Sequence, residues 1–244
     1  MSEIIYRSDM SVELVESWGS DEMIARAARV STNSDLLDQG KIKGLIGYLI
    51  RNSHTSPLEH VGATFRLELP LFVRDQIVRH RTFSYNIRSF RFGEASPEFY
   101  LPASHRPLYN AGSGAHPKLV SVHPDERPLH DITVEEFRHI AEATWRTYTH
   151  LLEYGVAEEV ARGVLPTNLY TSMYMTSNLW AWLQFLDKRI ESEKNKPQFE
   201  IEVVAKAVLG ELERLFPVTI GAWGKKRGGV SEVHGFQGPD RQAP

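Results

Sequence analysis

The 244-residue sequence contains no cysteine. Disulfides, thiolate metal sites and cysteine nucleophiles are therefore excluded from its chemistry. The sequence also lacks an apolar run of about 18 residues, which is the length that a membrane-spanning helix needs. Its first twenty residues alternate charged and apolar side chains, which is not the pattern of a signal peptide. We expect a cytoplasmic protein that does not associate with membranes.

A basic excess is missing as well. The chain has 28 Lys and Arg against 31 Asp and Glu, a formal net charge of -3, whereas proteins that live on nucleic acid usually carry a basic excess. We therefore expect no nucleic-acid partner. With 41% apolar residues the chain can bury a full core, and we predict a single domain over residues 1–244 with a mobile tail after about residue 224.

The periodicity of apolar residues predicts a mixed α+β fold. Strands are expected at 4–6, 12–15 and 63–69, and residues 168–177 fit a strand or a helix equally. The first helix is expected to be capped by Asp21, and the third to run from Pro70 to the arginine run. A capping box at Thr133 and Glu136 predicts a long helix that ends at Gly155. Further helices are expected over 38–51, 157–165, 178–189 and 197–216, the last of the chain. Residues 102–129 read as an irregular connection.

Positive charge is concentrated in residues 79–91. These thirteen positions hold four arginines, one histidine, two serines and three aromatic residues. Arginine stays charged at physiological pH and offers a rigid fork of donors that matches phosphate oxygens or the acceptor edge of a pyrimidine. We interpret the run as an anion-binding site for a nucleotide; the alternative is a solvated basic face or a nucleic-acid patch.

Other polar residues allow more than one interpretation. His54 and His60 flank Glu59, but neither helical zinc-site spacing nor a thiolate accompanies them, so we predict no metal site. They fit a polar loop beside a ligand or a structural turn. Arg162 and Arg189 lie near the ends of predicted helices, where the helix dipole favours a cation for structural reasons alone.

The spacing of the arginine run resembles a known signature. Arg-His-Arg, seven residues and then Ser, here residues 79–81 and Ser89, resembles the motif of the flavin-dependent thymidylate synthases. Residues 54–60, 76–79, 98–102 and 159–166 resemble further blocks of that family in the same order. The resemblance spans about residues 10–220.

This resemblance implies a fold, an assembly and a reaction. The fold would be an α+β fold in which a sheet is flanked by long helices, assembled as a homotetramer with active sites shared between subunits. The reaction would add a methyl group to C5 of dUMP or UMP, with methylenetetrahydrofolate as carbon donor and NADPH as reductant acting through FAD. The lack of cysteine agrees with this reaction, because ordinary thymidylate synthases need a thiolate that attacks C6 of the pyrimidine.

The resemblance also assigns roles residue by residue. Arg189 matches the cation that stabilises the pyrimidine deprotonated at N3, and His54 matches a residue close to the reacting groups; we take both as catalytic. The substrate-binding positions are Gln76, Arg79, Ile87, Arg88, Ser89, Arg91, Arg162 and Arg189, with Ser89, Arg91 and Arg162 at the phosphate. The positions that contact FAD are Ser56, Arg79, His80, Arg81, Asn178 and Gln184.

The chain departs from the family pattern at Ile87 and Arg88, at Trp180, and by three extra residues within 193–197. Where the family usually continues Asn-Glu-Leu-Ser, this sequence has Asn86, Ile87, Arg88 and Ser89, so an apolar side chain replaces a charged acceptor. Trp180 stands where the family usually has an arginine or histidine at the flavin. Our hypothesis is that C5 methylation is retained and that UMP is used beside or instead of dUMP, as in the uridylate methylases of nucleoside-antibiotic pathways.

Two interpretations from other classes stay open. One is a nucleic-acid-binding module that uses Arg88, Phe90, Arg91 and Phe92 for backbone and stacking contacts. The other is a nucleotide-binding protein that has lost flavin chemistry. The colour of the purified protein separates both from a flavoenzyme.

Overall fold

A computed structural model of the protein describes residues 3–30, 38–113, 118–193 and 195–228. The chain forms two compact units, one from residues 1–9, 69–75 and 87–171 and one from residues 10–68, 76–86 and 172–244. Within the described ranges no helix is both long enough and apolar enough to cross a bilayer, and no three side chains are grouped as metal ligands.

Helices and strands are mixed along the chain. The strands are β1 (Ile5–Arg7), β2 (Ser11–Trp18), β3 (Gly62–Pro70), β4 (Ser84–Ile87), β5 (Glu98–Tyr100), β6 (Tyr109–Asn110), β7 (Leu119–Val120) and β8 (Tyr170–Asn178). The helices are α1 (Asp21–Arg29), α2 (Gln39–Arg51), α3 (Leu71–Ile77), α4 (Leu129–Glu153), α5 (Glu158–Ala161), α6 (Leu179–Arg189), α7 (Phe199–Leu215) and α8 (Pro217–Lys226), with short 3-10 helices at Ser56–His60 and Arg162–Val164.

The first unit is built around the long helix α4. Ala141, Trp145 and Tyr148 recur at helical spacing and form a buried face, which shares a core with Phe90 and Phe99. The strand that carries Phe99, β5, pairs in parallel with β1. The Tyr148 hydroxyl accepts a hydrogen bond from the Ala95 amide at 3.1 Å, so α4 also fixes the loop that follows the arginine run.

The second unit is built on a four-stranded sheet in the order β2-β3-β8-β4. Ala63, Phe65 and Leu67 of β3 alternate with partly exposed residues and are fully buried, as the two-residue period of a strand requires. Helix α6 packs on this face: Trp182 donates its indole N–H to the Ala63 carbonyl at 3.1 Å and meets the Phe65 ring edge to face. This packing fixes α6, whose last residue is Arg189.

Several predicted elements are confirmed. Asp38 caps α2 by accepting a hydrogen bond from the Lys41 amide, and α6 begins one residue after its predicted start, with Asn178 as its cap. The segment 168–177, which fitted a strand or a helix equally, forms strand β8 from Tyr170 onward. Helix α4 ends two residues before Gly155, whose φ of +79° is the left-handed conformation common after a helix.

The start of α1 was predicted wrongly. Ser20 caps this helix, and Asp21 is its first residue. The Asp21 carboxylate instead accepts hydrogen bonds from the Val218 amide and from both the amide and hydroxyl of Thr219. Asp21 therefore caps α8, a helix 197 residues away in sequence, and no local pattern could indicate that choice.

Three other helix predictions were also wrong in part. Helix α4 begins at Leu129, so Thr133 lies inside the helix and forms no capping box. Residues 157–165 divide into α5 and a 3-10 helix. Helix α7 is not the last, since Pro217 opens α8 at a position where its missing N–H costs nothing.

Smaller differences lie at boundaries and in connections. Pro70 ends β3, and α3 begins one residue later. Residues 102–129 include the short antiparallel pair of β6 and β7. Helix α8 continues to Lys226, beyond the predicted start of the mobile tail; residues 229–244 lie outside the described residues.

Candidate functional site

Arg189 lies at the end of α6, half-buried and held on two sides. Its Nε donates to Nε2 of His80 at 2.9 Å, and its Nη2 donates to the Gln76 carbonyl oxygen at 3.0 Å. Burial and the nearby Arg79 lower the pKa of Arg189, but its ordinary value is so high that it stays charged. Nη1 makes no hydrogen bond to any described residue, so one nitrogen of the fork is left for a ligand.

His80 is the partner that fixes the Arg189 guanidinium. Its ring meets Phe185 edge to face at 5.0 Å and Phe83 at 6.3 Å between ring centres. Burial, with Arg189 and Lys188 adding to it, lowers the pKa of His80 to about 4. The ring is therefore neutral at physiological pH. Because Nε2 accepts the proton of Arg189, the ring proton lies on Nδ1.

Gln76 and Tyr85 complete this group. The Gln76 side chain donates to the side-chain oxygen of Gln198 at 2.5 Å. The Tyr85 hydroxyl lies 2.8 Å from the carbonyl oxygens of both Ile77 and His80. These contacts join the end of α3, strand β4 and the end of α6 into one arrangement around Arg189.

The predicted FAD-contacting residues of the second unit leave donors available. The side chains of Arg79 and Arg81 are exposed and make no hydrogen bond to any residue that the structure describes. Asn178 uses its side-chain oxygen to cap α6 at 2.9 Å from the Ala181 amide, which leaves its NH₂ group. Gln184 is half-buried on α6. Two cations and two amides of this kind fit a large anionic cofactor such as FAD.

His54 and Ser56 lie at the turn between α2 and β3. Both are exposed, and the His54 ring meets the Tyr48 ring edge to face at 5.6 Å. Over the described ranges, neither forms a hydrogen bond with the Arg189 group. The 3-10 helix that Ser56 begins packs against α6.

In the first unit, Glu159 links the two arginines predicted at the phosphate. Its carboxylate accepts from Arg91 Nε at 2.7 Å, and its carbonyl accepts from Arg162 Nε at 3.3 Å. The Ser89 hydroxyl accepts from the Arg91 amide at 3.1 Å. Ser89, Arg91, Glu159 and Arg162 are all exposed, so solvent reaches this group.

Ile87, Arg88 and Trp180, which depart from the family pattern, are either half-buried or hydrogen-bonded to the loop that follows β4. Arg88 donates to the Ser96 hydroxyl at 3.0 Å and to the Glu94 carbonyl at 3.1 Å, which ties its guanidinium to the following loop. Ile87 is the half-buried last residue of β4. Trp180, a further departure from the family pattern, is half-buried on α6.

Comparison with known proteins decides the family. A model of the family described as thymidylate synthase complementing protein matches residues 13–218. The chain belongs to this family. The flavin-dependent thymidylate synthase of Streptomyces coelicolor is a relative with 40% identity over 228 residues, covering 89% of this chain and 92% of the relative. The enzyme of the same name from Thermotoga neapolitana is 40% identical over 197 residues, covering 81% of this chain and 82% of the relative.

Solved structures of a UMP/dUMP methylase confirm the α+β fold. The UMP/dUMP methylase PolB from Streptomyces cacaoi, bound with 5-Br UMP, superposes with a TM-score of 0.86 at 36% identity, covering 94% of this chain and all of PolB. PolB bound with 5-Br dUMP gives a TM-score of 0.84. The predicted family and the prediction of an enzyme are confirmed by these relatives.

The sequence did not indicate two residues of these groups. Tyr85 lies inside the arginine run, but its aromatic ring was counted with the run and not as a hydrogen-bond donor. Glu159 lies beside Arg162 in the matched block, and its ion pair joins residues 68 positions apart. Each lies three residues before a predicted cation, Tyr85 before Arg88 and Glu159 before Arg162, and this spacing was the available signal.

Proposed function

We propose that this protein catalyses the reductive methylation of C5 in UMP and dUMP, with FAD as cofactor. The observation that carries the proposal is the Arg189 guanidinium, which is fixed by His80 and the Gln76 carbonyl and keeps Nη1 unused. C5 of uracil becomes more nucleophilic as N3 loses its proton. A half-buried cation beside the ring stabilises that anion without itself changing protonation.

Neutral His80 supports this role for Arg189. A protonated imidazole could not accept the Arg189 Nε–H, and it would add a competing charge beside the guanidinium. With its pKa lowered to about 4, His80 orients Arg189 by hydrogen bonding alone. Arg189 is thus the charge that faces the base, and His54 is proposed to act near the reacting carbon.

We assign the 5′-phosphate of the nucleotide to Ser89, Arg91 and Arg162. Arg91 and Arg162 offer guanidinium donors, which suit a terminal phosphate, and the Ser89 hydroxyl offers a further donor. Gln76 and Arg79 are proposed to contact the nucleotide as well. The Glu159 carboxylate accepts from Nε of Arg91, which is one of the donors that a phosphate would use.

The residues that match the flavin positions fit FAD. Arg79 and Arg81 carry charges that no described residue pairs and that suit its diphosphate, and Ser56, His80, Asn178 and Gln184 offer polar groups around it. When bound, FAD supplies the reducing equivalents from NADPH that convert the one-carbon unit of methylenetetrahydrofolate into a methyl group. We further propose a homotetramer with shared active sites, as in the family this chain resembles.

Two observations support the use of UMP beside dUMP. Ile87 places an apolar side chain where the family has a carboxylate, which changes hydrogen bonding near the nucleotide. In addition, PolB, which is 36% identical to this chain, is named a UMP/dUMP methylase. Arg88, turned toward Ser96 and Glu94, does not replace the missing carboxylate.

A direct experiment tests the proposal. Purified protein that stays yellow after dialysis is incubated with methylenetetrahydrofolate, NADPH and either UMP or dUMP, and the nucleotide product is identified by mass spectrometry. We expect methylated product from both nucleotides. Product from dUMP with none from UMP would overturn the proposed substrate range. A colourless protein that binds oligonucleotides in a salt-sensitive manner would overturn the flavoenzyme itself.

A further inference from the structure

The end of helix α3 is closed by side chains from two other elements. The carbonyl groups in the last turn of a helix have no partner within the helix and must find one elsewhere. Here the Gln76 carbonyl accepts from Arg189. The Ile77 carbonyl accepts from the His80 amide at 3.0 Å, and the single Tyr85 hydroxyl proton is shared between the Ile77 and His80 carbonyls, each 2.8 Å from the hydroxyl oxygen.

We propose that Tyr85 is a positioning residue, whose hydroxyl holds the His80 backbone so that the His80 ring can orient Arg189. This inference rests on the proposed function, in which Arg189 stabilises the N3 anion of the base. The connection runs from the Tyr85 hydroxyl to the His80 carbonyl, through the His80 residue to its Nε2, and from there to Arg189 Nε.

The hydroxyl of Tyr85, and not its ring, carries this role. The ring stacks on Phe83 with 6.2 Å between centres, a contact that phenylalanine would keep. Tyr85 makes the only hydrogen bond that the described residues give to the His80 carbonyl. Burial raises the pKa of Tyr85 to about 12, so the hydroxyl remains a donor across the physiological range.

Loss of this hydroxyl should affect the charge on the base more than the fold. Without it the backbone of His80 loses one anchor, and the Nε2–Nε hydrogen bond to Arg189 is held less firmly. Arg189 keeps its charge and its bond to the Gln76 carbonyl, so a cation remains present but is less well oriented. The stabilisation of the N3 anion falls, because electrostatic stabilisation depends on a preorganised donor.

The ionisation of a bound nucleotide reports this effect without any turnover. The holoprotein is saturated with 5-bromo-UMP, and the N3 pKa of the bound base is measured by ultraviolet difference titration. Four proteins are compared: wild type, Tyr85→Phe, Arg189→Ala, and the control Tyr174→Phe. Tyr174 is 43% exposed on β8, and its hydroxyl makes no hydrogen bond to a described residue.

We expect the wild type and the Tyr174→Phe control to lower the N3 pKa equally below that of free nucleotide. In Tyr85→Phe the N3 pKa should rise by about one unit, a tenfold loss of preference for the anion. Arg189→Ala should return it to the value of free nucleotide. Alkaline pH should then restore turnover of Tyr85→Phe, which it would not do for a folding defect.

The possible outcomes separate this inference from the proposed function. A wild type that does not lower the N3 pKa contradicts the role of Arg189. A wild type that lowers it, with Tyr85→Phe identical, overturns the role of Tyr85 alone. A Tyr85→Phe protein that unfolds or loses its flavin absorbance assigns the hydroxyl a structural role and also overturns the inference.

As a second test, His80→Gln should shift the N3 pKa, and the double variant with Tyr85→Phe should add little more. Additive shifts of the N3 pKa would contradict the proposed connection.

Discussion

The arginines of the two units differ in burial and in the partners that hold them. Arg189 is half-buried and donates to an imidazole nitrogen and to a backbone carbonyl, both of which belong to the folded framework. Arg91 is 54% exposed, and its partner is the carboxylate of Glu159, which is itself 48% exposed. The first arrangement fixes a charge in one orientation, and the second leaves a charge that can exchange partners.

This difference in burial and partners indicates that the two arginines have different functions. An exposed ion pair contributes only about 0–1 kcal/mol to stability, so an incoming phosphate can displace it at small cost. A guanidinium with reduced solvation exerts a stronger electrostatic effect on a neighbouring anion. We therefore expect the Arg189 group to determine turnover and the Arg91 group to determine nucleotide affinity.

Removal of Arg189 should have the largest effect. Arg189→Ala should lower turnover by about 10²–10³-fold, the cost typical of losing one preorganised transition-state donor, while flavin stays bound because its predicted contacts are other residues. Flavin absorbance and turnover are measured on the same sample, with Arg189→Lys as a charge-conserving comparison. Turnover like that of the wild type would mean that another cation activates the base.

Removal of Arg91 should act on affinity. A hydrogen bond to a charged group is worth about 1.5–3 kcal/mol, so Arg91→Ala should raise the dissociation constant of 5-bromo-dUMP by about ten- to a hundredfold. Calorimetric titration checks this. Arg214→Ala is the matched control, since Arg214 is an exposed arginine paired with Glu211 at 2.9 Å. Unchanged affinity in Arg91→Ala would remove Arg91 from the phosphate site.

Substitution of Glu159 should change nucleotide affinity in the opposite direction to substitution of Arg91. Glu159→Gln removes the carboxylate that occupies Arg91, so nucleotide affinity should rise, by about two- to fivefold for an exposed pair. The same calorimetric titration applies, with Glu211→Gln as the control. Weaker binding in Glu159→Gln would indicate that Glu159 holds Arg91 in its binding position instead of competing with the phosphate.

A separate expected effect is a dependence of stability on pH. The pKa of His80 falls from 6.5 to about 4 on folding, so the unfolded chain binds more protons between these values. The stabilisation is therefore complete above about pH 6.5 and is lost as pH falls toward 4. Wild type should lose more stability between pH 7 and pH 5 than His80→Gln in urea unfolding. Equal losses would mean that His80 is not held neutral by the fold.

The sequence predicted what depends on local pattern. Helix α2, with Asp38 as its cap, and the alternating strand β3 follow from residues close together in the chain. The family follows from the fixed spacing of the arginine run to Ser89. Such features need no knowledge of distant contacts.

Contacts between distant residues could not be predicted in the same way. Arg189 and His80 are 109 positions apart, and Asp21 caps a helix at the other end of the chain. The role of the Tyr85 hydroxyl depends on strand β4, which places this hydroxyl beside the last carbonyl of α3. In each case a common residue type gains its role from tertiary packing.

The most direct test is how the initial rate depends on nucleotide concentration, because it separates an effect of Arg189 on turnover from an effect of Arg91 on nucleotide affinity. It is measured for wild type, Arg189→Ala and Arg91→Ala under identical conditions. We predict that saturating nucleotide restores Arg91→Ala to near the wild-type kcat with a raised KM, whereas Arg189→Ala stays slow at every concentration. A restored rate in Arg189→Ala, together with a lowered kcat and unchanged KM in Arg91→Ala, would contradict the account.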